Sequence, residues 1–205
     1  MADSELYLIS PLDVGGDFPG RLERALTAGE GLVTAFQFRV KGVDQHEAAR
    51  LAEPLLDICR AREVGFIVND DVALARRLKA DGVHLGQGDG DARDAREELG
   101  RDMQIGVTCH ASRHLAMEAG EAGADYVAFG AFFESGTKPS EHRPGLDILE
   151  WWSGLFEIPC VAIGGITPAN CRPLVDAGAD FLAVSGAVWN GDEAANVRAF
   201  AEAMG

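Results

Sequence analysis

A chain of 205 residues, 47% hydrophobic and 25% charged without low-complexity blocks or a linker, can bury a sizeable core, and one domain spanning residues 1–205 is expected. A formal net charge of −15, with 33 acidic residues and no Lys/Arg run, excludes nucleic acid and anionic lipid as expected partners, yet charge screening over about 8 Å lets a few local cations hold a small anion. No apolar stretch reaches a membrane span and the start, Met1-Ala2-Asp3-Ser4-Glu5, is acidic where a signal peptide would be basic, so a cytoplasmic protein with no membrane partner is expected.

Short apolar runs suited to buried parallel strands alternate with longer amphipathic stretches. In chain order the strands are expected at Leu6–Ser10, Leu32–Arg39, Gly65–Val68, Gly82–Leu85, Met103–Thr108, Tyr126–Gly130, Cys160–Ile163 and Phe181–Ser185. Helices are expected between and after them, at Gly20–Ala28, Gln45–Arg62, Val72–Lys79, Ala92–Leu99, Ser112–Ala122, Leu146–Leu155, Pro168–Ala177 and Glu193–Ala203. Asp44, Asp71, Asp91 and Ser112 stand where helix caps belong, and Thr167-Pro168 reads as a helix start with Pro at its first position. Pro54 should kink or restart the second helix. An echo, Ala80-Asp81-Gly82, Ala122-Gly123-Ala124-Asp125 and Ala177-Gly178-Ala179-Asp180, opens only even-numbered strands and reads as a structural repeat of tight helix-to-strand turns. Cys59, Cys109, Cys160 and Cys171 form no CxxC pair and read as buried structural thiols.

Eight strand-helix units predict a (β/α)8 TIM barrel. The runner-up is an open doubly wound sheet, but the first strand ends in Ser10-Pro11-Leu12-Asp13 with no glycine-rich phosphate loop behind it. A barrel concentrates its chemistry in the loops after its strands, and unusual polar residues fall there. After the second strand, Gln37, Arg39 and Lys41 alternate onto one side, a fork and a point charge suited to phosphate. Asp70 and Asp89 end adjacent strands and could share magnesium, although capping by Asp70 or Asp71 and a turn around Gly88-Asp89-Gly90 account for the same residues. His110 ends the fifth strand either as a hydrogen-bonded strand-end residue or as a general base. The sixth loop carries Ser135, Thr137 and Lys138 and reads as a phosphate-gripping lid. Gly164-Gly165 and Ser185-Gly186 bare backbone amides after the seventh and eighth strands, the recurrent phosphate site of barrels. Two phosphorylated groups could therefore bind at once.

Gln37-x-Arg39-x-Lys41, Asn69-Asp70-Asp71, His84-Leu85-Gly86-Gln87-x-Asp89, Thr137-Lys138 and Gly164-Gly165-Ile166-Thr167, in this order, resemble the thiamine-phosphate synthase family over essentially the whole chain. The resemblance implies a transferase that joins hydroxymethylpyrimidine diphosphate to thiazole phosphate, giving thiamine phosphate and pyrophosphate. It also implies a dissociative, magnesium-assisted route. By the same resemblance Arg39, Lys41, Asn69 and Lys138 hold the diphosphate, Asp70 and Asp89 hold Mg2+, Gln37 and Thr108 address the pyrimidine, and Ser135, Thr137, Gly165, Ser185 and Gly186 address the thiazole phosphate. A homo-oligomer is left open. The sixth loop departs from the family, with Ala131 and Glu134 where a proline is usual and a short segment over residues 139–144. Related thiazole tautomerases share the barrel and use a histidine near the position of His110, but Arg39, Lys41, Asp70 and Asp89 favour a diphosphate substrate. A non-catalytic binder of thiazole or thiamine phosphate is the remaining alternative.

Overall fold

A computed structural model describes residues 4–134 and 143–205 of the chain. Eight parallel strands close in sequential order into a barrel: β1 (Glu5–Ile9), β2 (Val33–Phe38), β3 (Gly65–Asn69), β4 (Gly82–Leu85), β5 (Gln104–His110), β6 (Tyr126–Gly130), β7 (Cys160–Ile163) and β8 (Phe181–Val184). The layer around them is α1 (Phe18–Ala28), α2 (Gln45–Ala61), α3 (Val72–Leu78), α4 (Ala92–Leu99), α5 (Arg113–Glu121), α6 (Asp147–Leu155), α7 (Arg172–Asp176), α8 (Gly186–Trp189) and α9 (Glu193–Met204). This is the expected TIM barrel. No helix among the described residues is long and apolar enough to cross a membrane.

Strand alternation splits the apolar residues into two sets. Outward side chains such as Phe36, Phe66, Ile105, Val127 and Leu182 pack against the helices, while Tyr7, Ile9, Ile67, Tyr126, Ala128, Val161 and Ala183 fill the lumen. All four cysteines are buried, and burial raises each thiol above its ordinary range, with Cys109 and Cys160 pushed up to about 12.

Asp44, Asp71, Asp91 and Ser112 each accept a bond from a backbone N–H in the first turn of their helix. Asp192 does the same for α9. One expectation fails locally. Residues 167–170 do not open α7, because the Asn170 side chain accepts from Thr167 N (2.8 Å) and donates to Gly165 O (3.0 Å), holding the chain in a turn; the helix starts at Arg172 and its proline is Pro173. Of the two readings of Pro54, a kink or a restart, the restart does not occur, because α2 runs on through it. Pro54 lies on the exposed face, where the carbonyl left without an N–H partner is open to water.

The echo has a bonding role beyond its small residues. Asp81 accepts from Phe66 N (2.7 Å), Asp125 from Ile105 N (2.7 Å) and Asp180 from Cys160 N (2.8 Å), so each carboxylate clasps an even strand to the odd strand before it. Gly123 and Gly178, just upstream of two of the clasps, have φ of +96° and +93°, the left-handed turn that glycine adopts without strain.

Candidate active site

At the C-terminal ends of β1 and β2, Ser10 Oγ accepts from Arg39 N (2.9 Å) and donates to Arg39 O (3.1 Å), pinning the backbone that carries the cation. Among the described residues the Arg39 guanidinium has no ion-pair partner. Lys41 reaches across to Asp70, Nζ to Oδ2 2.6 Å. The neighbouring acids divide their work: Asp71 caps α3 by accepting from Leu74 N (2.7 Å), while Asp70, in a left-handed conformation with φ +66°, turns to Lys41 and Asp89. Asn69 ends β3 in register with His84. Asp89 folds back over Gly86, whose missing side chain makes the space: a Cβ there would lie 2.5 Å from Asp89 Oδ2. The Asp89 carboxyl is raised above its ordinary range by desolvation, by the charge of Asp70 and by a hydrogen bond with it, against a lowering by Lys41. Two carboxyl groups thus meet each other, one of them paired with Lys41.

Deeper in the lumen a chain of hydrogen bonds crosses the barrel. Gln37 Nε2 donates to Tyr7 Oη (3.0 Å), Tyr7 Oη meets Tyr126 Oη (2.9 Å), Tyr126 Oη meets His84 Nδ1 (3.1 Å), and His84 Nε2 meets Thr108 Oγ1 (2.9 Å). The His84 and Tyr126 rings stack, with centroids 5.6 Å apart, and Tyr7 meets Tyr126 edge-on at 6.0 Å. Gly106 makes room for this, since a Cβ there would collide with the Tyr126 ring. Burial raises both phenols well above their ordinary range and lowers His84 from 6.5 to about 4, so the ring is neutral at neutral pH. Gln37 and Thr108 were expected here; Tyr7, His84 and Tyr126 as polar lumen groups were not.

On the opposite side of the mouth, β6 continues past its end by pairing with β7, Phe132 N to Ile163 O (3.1 Å) and Phe133 N to Gly164 O (3.0 Å). Gly164 and Gly165 have φ of +103° and +64°, and the Phe133-Glu134 backbone lies so close over Gly165 that no side chain fits there. Glu134, the acid that departs from the family pattern, is paired with Arg143 (2.7 Å) and its charge is answered locally. Ser135, Thr137 and Lys138 lie outside the described residues. Ser185 precedes the short α8, which begins at Gly186 and is anchored by Trp189 Nε1 donating to Ile9 O (2.6 Å). That anchor and α8 itself went unread, four residues being too few to show helical periodicity. His110 ends β5 with φ +52° after a register shift between Thr108 and His110.

The sequence model described as thiamine monophosphate synthase matches residues 6–188. The chain belongs to that family. It is an enzyme, and its family activity is that of a thiamine-phosphate synthase, a transferase. A thiamine-phosphate synthase of Erythrobacter litoralis is 76% identical over 201 residues, 97% of this chain and 94% of that protein. Another from Rhodospirillum centenum is 51% identical over 191 residues, covering 93% and 91%. The solved structure of a thiamine phosphate pyrophosphorylase from Pyrococcus furiosus superposes with a TM-score of 0.85 at 30% identity, over 99% of this chain and 96% of that one.

Proposed function

We propose that this barrel, as one catalytic domain over residues 1–205, joins hydroxymethylpyrimidine diphosphate to thiazole phosphate and releases pyrophosphate by a dissociative route. The observation that carries the reading is the division of the mouth: an acid pair with Arg39 and Lys41 over β2 to β4, and glycine-lined backbone over β7 and β8. In the reaction the methylene carbon–oxygen bond breaks and its electron pair leaves with pyrophosphate. The thiazole nitrogen lone pair then forms the carbon–nitrogen bond to the methylene carbon. No side-chain base is required, so the protein's work is positioning and neutralising the leaving group.

Arg39, Lys41 and Asn69 take the diphosphate, with Lys138 joining them from the sixth loop. Gln37 and Thr108 hold the pyrimidine at the floor. Ser135, Thr137, Gly165, Ser185 and Gly186 hold the thiazole phosphate. Among the described residues no group of three or more His, Cys, Asp or Glu is placed to hold a metal, but magnesium needs only one or two protein carboxylates when phosphate oxygens complete its shell. Asp70 and Asp89 fit that requirement, because the missing side chain of Gly86 lets the Asp89 carboxyl fold back to meet that of Asp70, bringing two carboxyl groups together. When bound, the ion would neutralise charge developing on the leaving pyrophosphate.

A coupled assay with both substrates, with and without magnesium, tests the reading. Asp89→Asn should abolish turnover while leaving thermal stability close to that of the parent protein. Full activity of that variant in chelator-treated buffer would remove the metal assignment. Turnover of thiazole phosphate alone, without the pyrimidine substrate, would replace the synthase reading with a tautomerase.

A further inference from the structure

The amides after β7 owe their aim to whatever holds the carbonyls beside them. In a trans peptide the C=O and the following N–H point in opposite directions, so a carbonyl tied down fixes the N–H one residue on. Ile163 O and Gly164 O are tied by the extension of β6, through Phe132 N (3.1 Å) and Phe133 N (3.0 Å). Gly165 O is tied by a side chain instead: Asn170 Nδ2 donates to it (3.0 Å), while Asn170 Oδ1 accepts from Thr167 N (2.8 Å). Only one orientation of the Asn170 amide serves both partners, since an N–H needs the oxygen and a carbonyl needs the nitrogen. Gly165, with φ +64°, thus has a held peptide on each side, by Phe133 before it and by Asn170 after it. Two successive glycines need such holding, because without a Cβ they cross between positive and negative φ at little cost. Gly165 N and Ile166 N donate to no backbone acceptor among the described residues and stay available to a ligand.

We propose that Asn170 is a positioning residue for thiazole phosphate: it fixes the peptide between Gly165 and Ile166, and with it the backbone amides that meet the substrate's phosphate. The inference rests on Gly165 holding that phosphate, as proposed above, and adds the side chain that keeps the glycine loop in its binding shape. The task requires a neutral amide. Aspartate at position 170 would keep the acceptor for Thr167 N but set a carboxylate against the Gly165 carbonyl, two acceptors with no proton between them. Alanine would keep neither bond. In both variants the backbone bond from residue 170 N to Thr167 O (3.1 Å) remains to hold the turn. Arg39, Lys41 and Asn69 stand on the other side of the mouth, so the loss falls on one substrate and spares the other.

Asn170→Ala and Asn170→Asp are compared with the parent protein by calorimetric titration with thiazole phosphate and, separately, with pyrophosphate in the presence of magnesium. Steady-state kinetics give kcat and KM for each substrate, and a melting curve accompanies each variant. Losing the hydrogen bond that fixes the loop should weaken thiazole phosphate binding about tenfold in Asn170→Ala. Asn170→Asp should lose at least as much, although it keeps the bond to Thr167 N. KM for thiazole phosphate should rise with the binding loss, while KM for the pyrimidine diphosphate and the affinity for pyrophosphate should stay within about twofold of the parent. A merely structural role would lower the melting temperature and move both KM values together or neither. Parental affinity for thiazole phosphate in a folded Asn170→Ala overturns the proposal, as does an equal loss for both ligands. Should Asn170→Ala not fold, Asn170→Asp is judged by the same two affinities. Failure of the synthase reading shows separately, as a parent protein that binds thiazole phosphate with this dependence on Asn170 yet forms no thiamine phosphate.

Discussion

His84 offers a direct measure of how strictly the lumen is closed to charge. The residue is 6% exposed, its ring is bonded on both nitrogens to hydroxyls, and its pKa falls from 6.5 to about 4 on folding because burial penalises the imidazolium more than the charge of Asp70 favours it. The unfolded chain therefore binds the proton more readily than the folded one, and stability is lost as pH falls below the unfolded value. The full shift, at about 1.4 kcal/mol per unit, amounts to about 3 kcal/mol. Linkage places about 2 kcal/mol of it between about pH 7.5 and about pH 5, above the range where most carboxylates titrate. Urea unfolding at the two pH values, on the parent and on His84→Gln, isolates this contribution, since other titrating groups are common to both. The parent should lose about 2 kcal/mol more than the variant on acidification. Equal losses would refute the neutral, enclosed imidazole, and a parent that gains stability would mean that His84 is protonated in the fold.

Arg39→Ala should lower kcat/KM at least about a hundredfold with no loss of thermal stability, because the guanidinium has no ion-pair partner among the described residues to lose; steady-state kinetics beside a melting curve checks both halves. Gly164→Ala should destabilise the protein by about 1–3 kcal/mol and depress activity, since φ is +103° and the new Cβ would sit 2.6 Å from Ala131 Cα; a variant with parental melting temperature would contradict the tight crossing of the two loops. Asp180→Ala should cost about 1–2 kcal/mol in chemical denaturation while leaving KM for both substrates unchanged, because it releases Cys160 N at the end of the barrel remote from the mouth.

The barrel was legible because each buried strand is an uninterrupted apolar run between amphipathic stretches, and Tyr126–Gly130 and Cys160–Ile163 were bounded correctly from that contrast alone. The caps were equally plain, and the cap geometry separates Asp71 from Asp70, which sequence left as alternatives. What sequence hid depends on closure. Tyr7 and Tyr126 read as apolar strand residues, and only their shared inward parity with Gln37, His84 and Thr108 turns them into one polar floor. Gly106, a glycine inside a strand opposite a large ring, was the available signal. The turn at residues 167–170 was misread because Pro168 satisfies a helix-start rule that the Asn170 side chain overrides.

The aspartate clasps divide the barrel into pairs: β3 with β4, β5 with β6, and β7 with β8, each tied across only 15 to 20 residues of chain. Each pair with its intervening helix is thus a locally cross-braced βαβ module, and the seams of the barrel fall after even strands. A circular permutant opened between β4 and β5, or between β6 and β7, leaves every clasp within a continuous stretch of chain. One opened between β5 and β6 makes the Asp125 clasp span almost the entire polypeptide, turning a short-range contact into one that forms only as the ring shuts. The odd-to-even connections would then tolerate new termini less well than the even-to-odd ones, a modular grain in a fold whose hydrogen-bonded sheet is otherwise continuous.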